Sequence, residues 1–321
     1  MLKTWVEASV LRGFPLESAG ANVETLPVHW KKVTLIGVGL LGGSLGMALR
    51  ERRLADRVTG YVRREASIEE CERCGAVDQA TVDLSAAVKG ANLVVICTPI
   101  AQMRSLVREF APSLKRGAVV TDVGSVKASV VKELESVVRK AGGHFVASHP
   151  MAGAEKTGVL AGRADLFDKA VSVVTPTRNT SPLALEKVEQ LWRSVGARVL
   201  RLAPAEHDRL VSRSSHLPHV VAAELVNFVL DSGEGENQKA LCANGFRDTT
   251  RIASGSPEMW RDIAMANRAN LHRELSRFID GLRDFMAQLQ AEDEAGVHQF
   301  FLRAKSARDA WAAGGTSPSP E

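Results

Sequence analysis

Val33-Thr34-Leu35-Ile36-Gly37-Val38-Gly39-Leu40-Leu41-Gly42-Gly43-Ser44-Leu45-Gly46 carries an apolar, β-branched run directly into G-x-G-x-x-G and on into a stretch with helical spacing. Each glycine answers a separate steric need: Gly37 permits the tight turn, Gly39 lets a pyrophosphate approach the backbone, and Gly42 lets helix and strand pack closely. Leu40 and Leu41 ride on the same turn, where the first helical amides point at the phosphates and the helix dipole favours their charge. A bare glycine pattern says little. Here a strand precedes it, a helix follows, and a second strand is expected at 57–62, which is the context a dinucleotide site requires. Glycines kept only for packing are the alternative.

The end of that second strand selects the dinucleotide. Chains that hold NAD usually place Asp or Glu there for the ribose 2′-hydroxyl, whereas this chain reads Gly60-Tyr61-Val62-Arg63-Arg64. No carboxylate is present to repel a 2′-phosphate, and two guanidinium groups can pair with it in forked geometry. NADP is therefore expected to be preferred over NAD, the alternative being that Arg63 and Arg64 are solvated loop charges.

Outward from the glycine turn, β-branched runs at 33–36, 57–62, 93–97, 119–122, 144–148, 171–175 and 198–202 alternate with helix-period segments at 44–53, 102–110, 126–140 and 183–195. That alternation predicts a parallel sheet. After Ala203-Pro204 the strand signals stop, and 205–230, 238–252, 257–289 and 291–312 read as helices. The expected organisation is a loosely held extension over 1–30, an α/β dinucleotide-binding domain over 31–202, an all-α substrate and dimerisation domain over 203–313 and a disordered tail over 314–321. The helix from 257 has Ser256 as its N-cap and Pro257 in its first turn, each favoured there. Trp260, Ile263, Leu271, Phe278, Leu282 and Leu289 recur along one wall of it. A small domain does not easily cover so long an apolar wall by itself, so burial against a second copy is expected.

Composition excludes several classes. With 321 residues, 45% of them hydrophobic, the chain can fill two cores and is not disordered throughout. The net charge of +4 comes from 41 basic and 37 acidic residues spread along the sequence, which leaves no nucleic-acid footprint. Every apolar run is interrupted before the roughly 18 residues of a membrane span. The first thirty residues lack the pattern of a secretory leader, so a cytoplasmic location is expected. Cysteines at 71, 74, 97 and 242 are too scattered for a disulfide framework. Cys71 and Cys74 form a C-x-x-C without the two further ligands of a structural zinc, and no metal is expected.

Candidate reacting groups gather at strand ends. Thr98 and Pro99 follow the strand at 93–97, and a proline after a central strand marks the carboxyl edge where ligands of open α/β sheets bind. They either border the nicotinamide or simply end the strand. Two more strands deliver Asp122-Val123-Gly124-Ser125-Val126-Lys127 and Ser148-His149-Pro150-Met151-Ala152-Gly153-Ala154-Glu155 to the same edge. Ser125 can cap the next helix, touch a substrate, or do both. His149 follows a strand directly and precedes Pro150, so it is expected on a loop and not on an apolar face, and its near-neutral pKa suits proton acceptance. The helical part adds Ser215-His216-Leu217-Pro218-His219, Gly245-Phe246-Arg247-Asp248-Thr249-Thr250-Arg251 and Trp260. Asp248 and Arg251 share a helical face and can pair locally, or Arg251 can hold a substrate carboxylate bidentately.

Together these motifs resemble the prephenate and arogenate dehydrogenases of tyrosine biosynthesis, the TyrA family, from Lys32 to about Ala312. The resemblance rests on the glycine turn, Cys97-Thr98-Pro99, Asp122–Lys127, His149–Gly153, Ser215–His219 and Gly245–Arg251, in family order with comparable gaps. It implies a Rossmann domain joined to an all-α dimerisation domain like that of the 6-phosphogluconate dehydrogenases. It also implies NAD(P)-dependent oxidative decarboxylation of prephenate or arogenate. His149 then accepts the proton of the substrate's ring hydroxyl, Ser125 orients it, and Arg251 binds carboxylate. Glu155, His216, His219, Asp248 and Trp260 match residues that line or gate the pocket, Trp260 reaching across the dimer in relatives. Prephenate, the commoner family substrate, is named first. A β-hydroxyacid or 6-phosphogluconate-type dehydrogenase shares the two-domain plan, but those typically use a catalytic Lys where this chain offers His216 and His219. A silent NADP-binding scaffold has no need of Ser125, His149 and Arg251.

Overall fold

A computed structural model describes residues 28–153, 156–231 and 235–314. The N-terminal extension up to residue 27, the tail beyond 314, and Glu155 lie outside the described residues. The first half alternates β1 (Val33–Ile36), α1 (Leu40–Glu51), β2 (Val58–Tyr61), α2 (Ile68–Arg73), β3 (Gln79–Thr81), α3 (Leu84–Val88), β4 (Leu93–Ile96), α4 (Ile100–Phe110), β5 (Val119–Asp122) and α5 (Ala128–Lys140). There follow β6 (His144–Phe145), β7 (Ala147–Pro150), β8 (Val171–Thr175), α6 (Pro182–Ser194) and β9 (Arg198–Arg201). Six parallel strands run in the order β3-β2-β1-β4-β5-β6. The order reverses between β1 and β4, and such a switch point opens a crevice at the carboxyl ends of the strands. Both faces of the sheet are apolar, as parallel strands covered on both sides require: Leu35 and Val95 point into one core, Ile36 and Ile96 into the other.

Two sequence expectations change here. The strand at 79–81 was not anticipated, because three residues, Gln79-Ala80-Thr81, show no alternation long enough to read. The single strand expected at 144–148 is split. β6 pairs parallel with β5, whereas β7 pairs antiparallel with β8, which in turn runs parallel to β9. Asp122 takes over where the ladder ends: its Oδ1 accepts the Ser148 N–H at 3.2 Å, and its main-chain carbonyl accepts the Ser148 hydroxyl at 2.6 Å. His149 is therefore held on a strand and not on a loop. The extension also ends earlier than expected, since Trp30 is buried against the first core and its N–H donates to the Leu54 carbonyl.

From Ala203 the described chain is helical: α7 (Pro204–Val211), a π turn (Ser212–His216), α8 (Leu217–Leu230), α9 (Gly235–Ala240), α10 (Asn244–Thr250), a 3-10 turn (Arg251–Ser254), α11 (Pro257–Ala266), α12 (Arg268–Gln290) and α13 (Glu294–Gly314). Ser256 caps α11 as expected, accepting the Met259 N–H. The expected unbroken helix over 257–289 is interrupted at Asn267, whose backbone departs from helical geometry at φ −112° and ψ 23°. The cause is its buried side chain, whose amide donates to the Asp208 carbonyl at 2.8 Å. Ile263 and Leu271 on the apolar wall are buried, while Phe278, Leu282, Met286 and Leu289 are exposed in the single chain. No described helix is long and apolar enough to cross a membrane. Cys71 faces the first core, where burial pushes its thiol up to about 11, and it is not disulfide-bonded to Cys74. A thiol held protonated in this way is a poor metal ligand.

Candidate active site

The glycine turn has the steric form that the sequence predicts. Gly37 adopts φ +93°, and a Cβ there would lie 2.9 Å from the Thr98 methyl. A Cβ at Gly42 would lie 2.1 Å from the Gly37 carbonyl oxygen, so the turn closes only without side chains. At Gly39 a Cβ would meet nothing within 4 Å, which leaves that amide open to a ligand. α1 starts at this turn without a side-chain cap, so its first amides are available to phosphate. Thr98 lies against Gly37 across the switch point, and its buried hydroxyl has no hydrogen-bond partner among the described residues. An open amide cradle beside an orphaned hydroxyl fits a dinucleotide whose nicotinamide end offers hydrogen-bonding groups. Arg63 and Arg64 are exposed just beyond β2, and neither is held in an ion pair by the described residues.

Beyond β5 a buried polar network takes shape. Lys127 and Asp122 are fully buried and form an ion pair, and Lys127 Nζ also donates to the Ser148 carbonyl at 2.7 Å. Burial pulls the Lys127 pKa down, opposed chiefly by the Asp122 charge. Ser148 is thus gripped from both ends, and His149 follows it. His149 is 7% exposed; its Nδ1 lies 2.8 Å from His207 Nε2, and His207 Nδ1 lies 2.8 Å from Asp208 Oδ1. Burial holds the His149 pKa well below its usual 6.5, with the nearby His207, Lys127 and His216 adding to the effect. A neutral imidazole is the form that accepts a proton.

Ser125 does not cap α5. The cap position is Lys127, and Asp208 supplies the acceptors from the other domain: Oδ1 takes the Lys127 N–H at 2.7 Å and Oδ2 the Ala128 N–H at 2.9 Å. Ser125 instead lies beside His216, its backbone favouring the charged ring, although His216 Nε2 has no hydrogen bond of good geometry among the described residues. Burial dominates, and the His216 pKa falls to about 4. Asn267 lies 3.2 Å from His216 Nδ1. Trp260 packs edge-on to His216 and stacks on His219 at 3.8 Å between ring centroids. That stacking is made within one chain, where the 3-10 turn leading into α11 packs on α8. Asp248 is exposed on α10, and Arg251 opens the 3-10 turn packed on α8.

Contacts therefore link His149, His216, His219 and Trp260 through His207, Asp208 and Asn267, while Gly37, Gly42 and Thr98 meet at the switch point and Pro99 stands at the start of α4. Reading the sequence had missed Lys127, His207, Asp208 and Asn267 as parts of the site. An adjacent His-Asp pair at the domain junction was the available signal for two of them.

The carboxyl ends of β1 and β4 offer a cradle for a dinucleotide, and the strand that leaves the sheet after β6 brings in a proton acceptor. Such a fold and site define a nicotinamide-dependent dehydrogenase with a helical second domain. Comparison with known proteins narrows the class: the prephenate dehydrogenase nucleotide-binding domain matches residues 45–201 and the prephenate dehydrogenase dimerization domain matches 203–303. The chain belongs to the prephenate dehydrogenase family. It is 34% identical to the prephenate dehydrogenase of Bacillus subtilis over 86% of this chain and 75% of that one. The solved prephenate dehydrogenase of Aquifex aeolicus, in complex with hydroxyphenyl propionate and NAD+, superposes with a TM-score of 0.82 at 31% identity, covering 87% of this chain and 98% of that one. Synechocystis arogenate dehydrogenase superposes at 0.74 with 30% identity, over 87% and 99%.

Proposed function

We propose that this enzyme oxidatively decarboxylates prephenate, with arogenate as the second substrate. The observation that carries the reading is a buried, neutral His149 whose Nε2 has no hydrogen-bond partner among the described residues, placed beside the dinucleotide sheet. A bound nicotinamide dinucleotide supplies the hydride acceptor. His149 takes the proton of the ring hydroxyl as hydride leaves the carbon that bears it. The bond to the ring carboxylate then breaks, CO2 departs, and its electron pair restores the aromatic ring. The resulting phenolate oxygen recovers the proton from His149, so no proton is consumed overall. The chain's task is to position and polarise, since aromatisation drives the step. Arg251 holds a substrate carboxylate, Ser125 orients the hydroxyl, and His216, His219, Asp248, Glu155 and Trp260 line the pocket.

The dinucleotide is NADP in preference to NAD, supported by Arg63 and Arg64 following β2 where a carboxylate would otherwise stand. Both domains are needed, and the exposed wall of α12 is covered by a second copy of the chain; the matching family domain is described as a dimerization domain. A monomer by sedimentation at micromolar concentration contradicts that pairing.

An assay at 340 nm with prephenate and arogenate, each with NAD and NADP, tests the reading. Turnover is expected with prephenate and NADP, and absence of turnover in all four mixtures refutes the function. In the same assay Arg63→Ala narrows the preference for NADP; an unchanged preference removes Arg63 from cofactor choice. Arg251→Ala raises KM by about 10- to 10²-fold, the loss expected when a charge-assisted pair worth roughly 1.5–3 kcal/mol is removed. An unaltered KM leaves Arg251 with a structural role only.

A further inference from the structure

We propose that His207 and Asp208, from the helical domain, are positioning residues that fix the tautomer of His149, placing its proton on Nδ1 and its lone pair on Nε2 toward the substrate. The inference rests on reading His149 as the base. It begins at Asp208, whose two carboxylate oxygens each accept a backbone N–H at the start of α5, from Lys127 and Ala128. Backbone amides can only donate, and a helix N-terminus favours a negative charge, so Asp208 stands there as a carboxylate. Its Oδ1 also faces His207 Nδ1 at 2.8 Å, which places the His207 proton on Nδ1.

His207 is fully buried, and burial lowers its pKa, so the ring carries one proton. With that proton on Nδ1, His207 Nε2 is a lone pair. It lies 2.8 Å from His149 Nδ1, which must be the donor. His149, likewise neutral, is left with a bare Nε2. The charged and titratable groups facing this pair are Lys127 and Asp122 from the β5–α5 segment, Asp208 from α7 and His216 from the π turn. Among the described residues none of them hydrogen-bonds to His149 Nε2, so nothing reverses the assignment. The acceptor is thus oriented only when α7 is docked against α5, and Asp208 serves as the helix cap and the orienting anion at once.

Long-range proton–nitrogen NMR spectra of the full-length protein with labelled histidine read the tautomer directly, without turnover. His149 is expected to carry its proton on Nδ1, and a proton on Nε2 overturns the proposal. Kinetically, His207→Leu is expected to lower kcat by about 10²-fold, the lower end of what a general base contributes. KM should stay within about two-fold, since the interaction is made with the base and not with bound substrate. The acid limb of kcat should move to lower pH, because the neutral acceptor that favours a charged His149 ring through its Nδ1 proton is gone. His207→Gln, which can still accept from His149 Nδ1, should restore most of the rate. A Leu variant with the native rate and pH profile, or a Gln variant as slow as Leu, reduces His207 to packing. If the native enzyme oxidises neither substrate, the function fails while the tautomer remains directly measurable.

Discussion

His149→Asn is expected to lower kcat by about 10²–10⁴-fold with little change in KM, the range a positioned general base supplies. Asn keeps a donor near His207 but has no atom able to take up a proton at neutral pH, so the loss falls on the chemical step. The pH dependence follows from the same burial. The native ring resists protonation until well below 6.5, so kcat is flat through neutral pH and falls only on the acid side. The Asn variant lacks that limb. Stability has the same sign: the His149, His207 and His216 pKa values are all lowered in the fold, so the unfolded chain binds more protons below about 6.5 and stability is lost as pH falls through that value. Steady-state kinetics across pH check the first claim, and a native-like kcat in His149→Asn removes the residue from the mechanism.

Lys127→Met carries the second large effect. It leaves Asp122, which is 0% exposed, without its cation. Asp122 keeps the Gly124 and Ser148 amides as donors, but breaking one side of a buried ion pair typically costs about 3–5 kcal/mol. The unfolding midpoint in urea should drop accordingly. The double variant Asp122→Asn with Lys127→Met should recover much of the loss, because no uncompensated charge remains. Activity per folded molecule should also fall, since the Ser148 carbonyl loses the ammonium that fixes it next to His149. A single variant as stable as the native chain means the pair is neutral in the fold and does not organise the site.

The glycine turn and the parallel sheet were legible because their causes are local. A β-branched run, three glycines at fixed offsets and a helix-period segment each state their geometry within about a dozen residues, and Gly37 and Gly42 meet the contacts that the spacing demands. The division at Ala203 was legible for the same reason. His149 was visible as a chemical type at the end of a strand signal, but the proline after it read as the start of a loop where the structure has a strand paired to β8.

What the sequence alone determined, then, is the cradle, the order of the elements and the identity of the candidate base. Tertiary structure decided that base's state. Only packing brings Asp208 across 80 positions to cap α5, carries His207 to His149 and breaks the long helix at Asn267. These are contacts between distant residues inside a low-dielectric interior, where each buried polar group must find a partner, and no periodicity in the chain records which partner it finds.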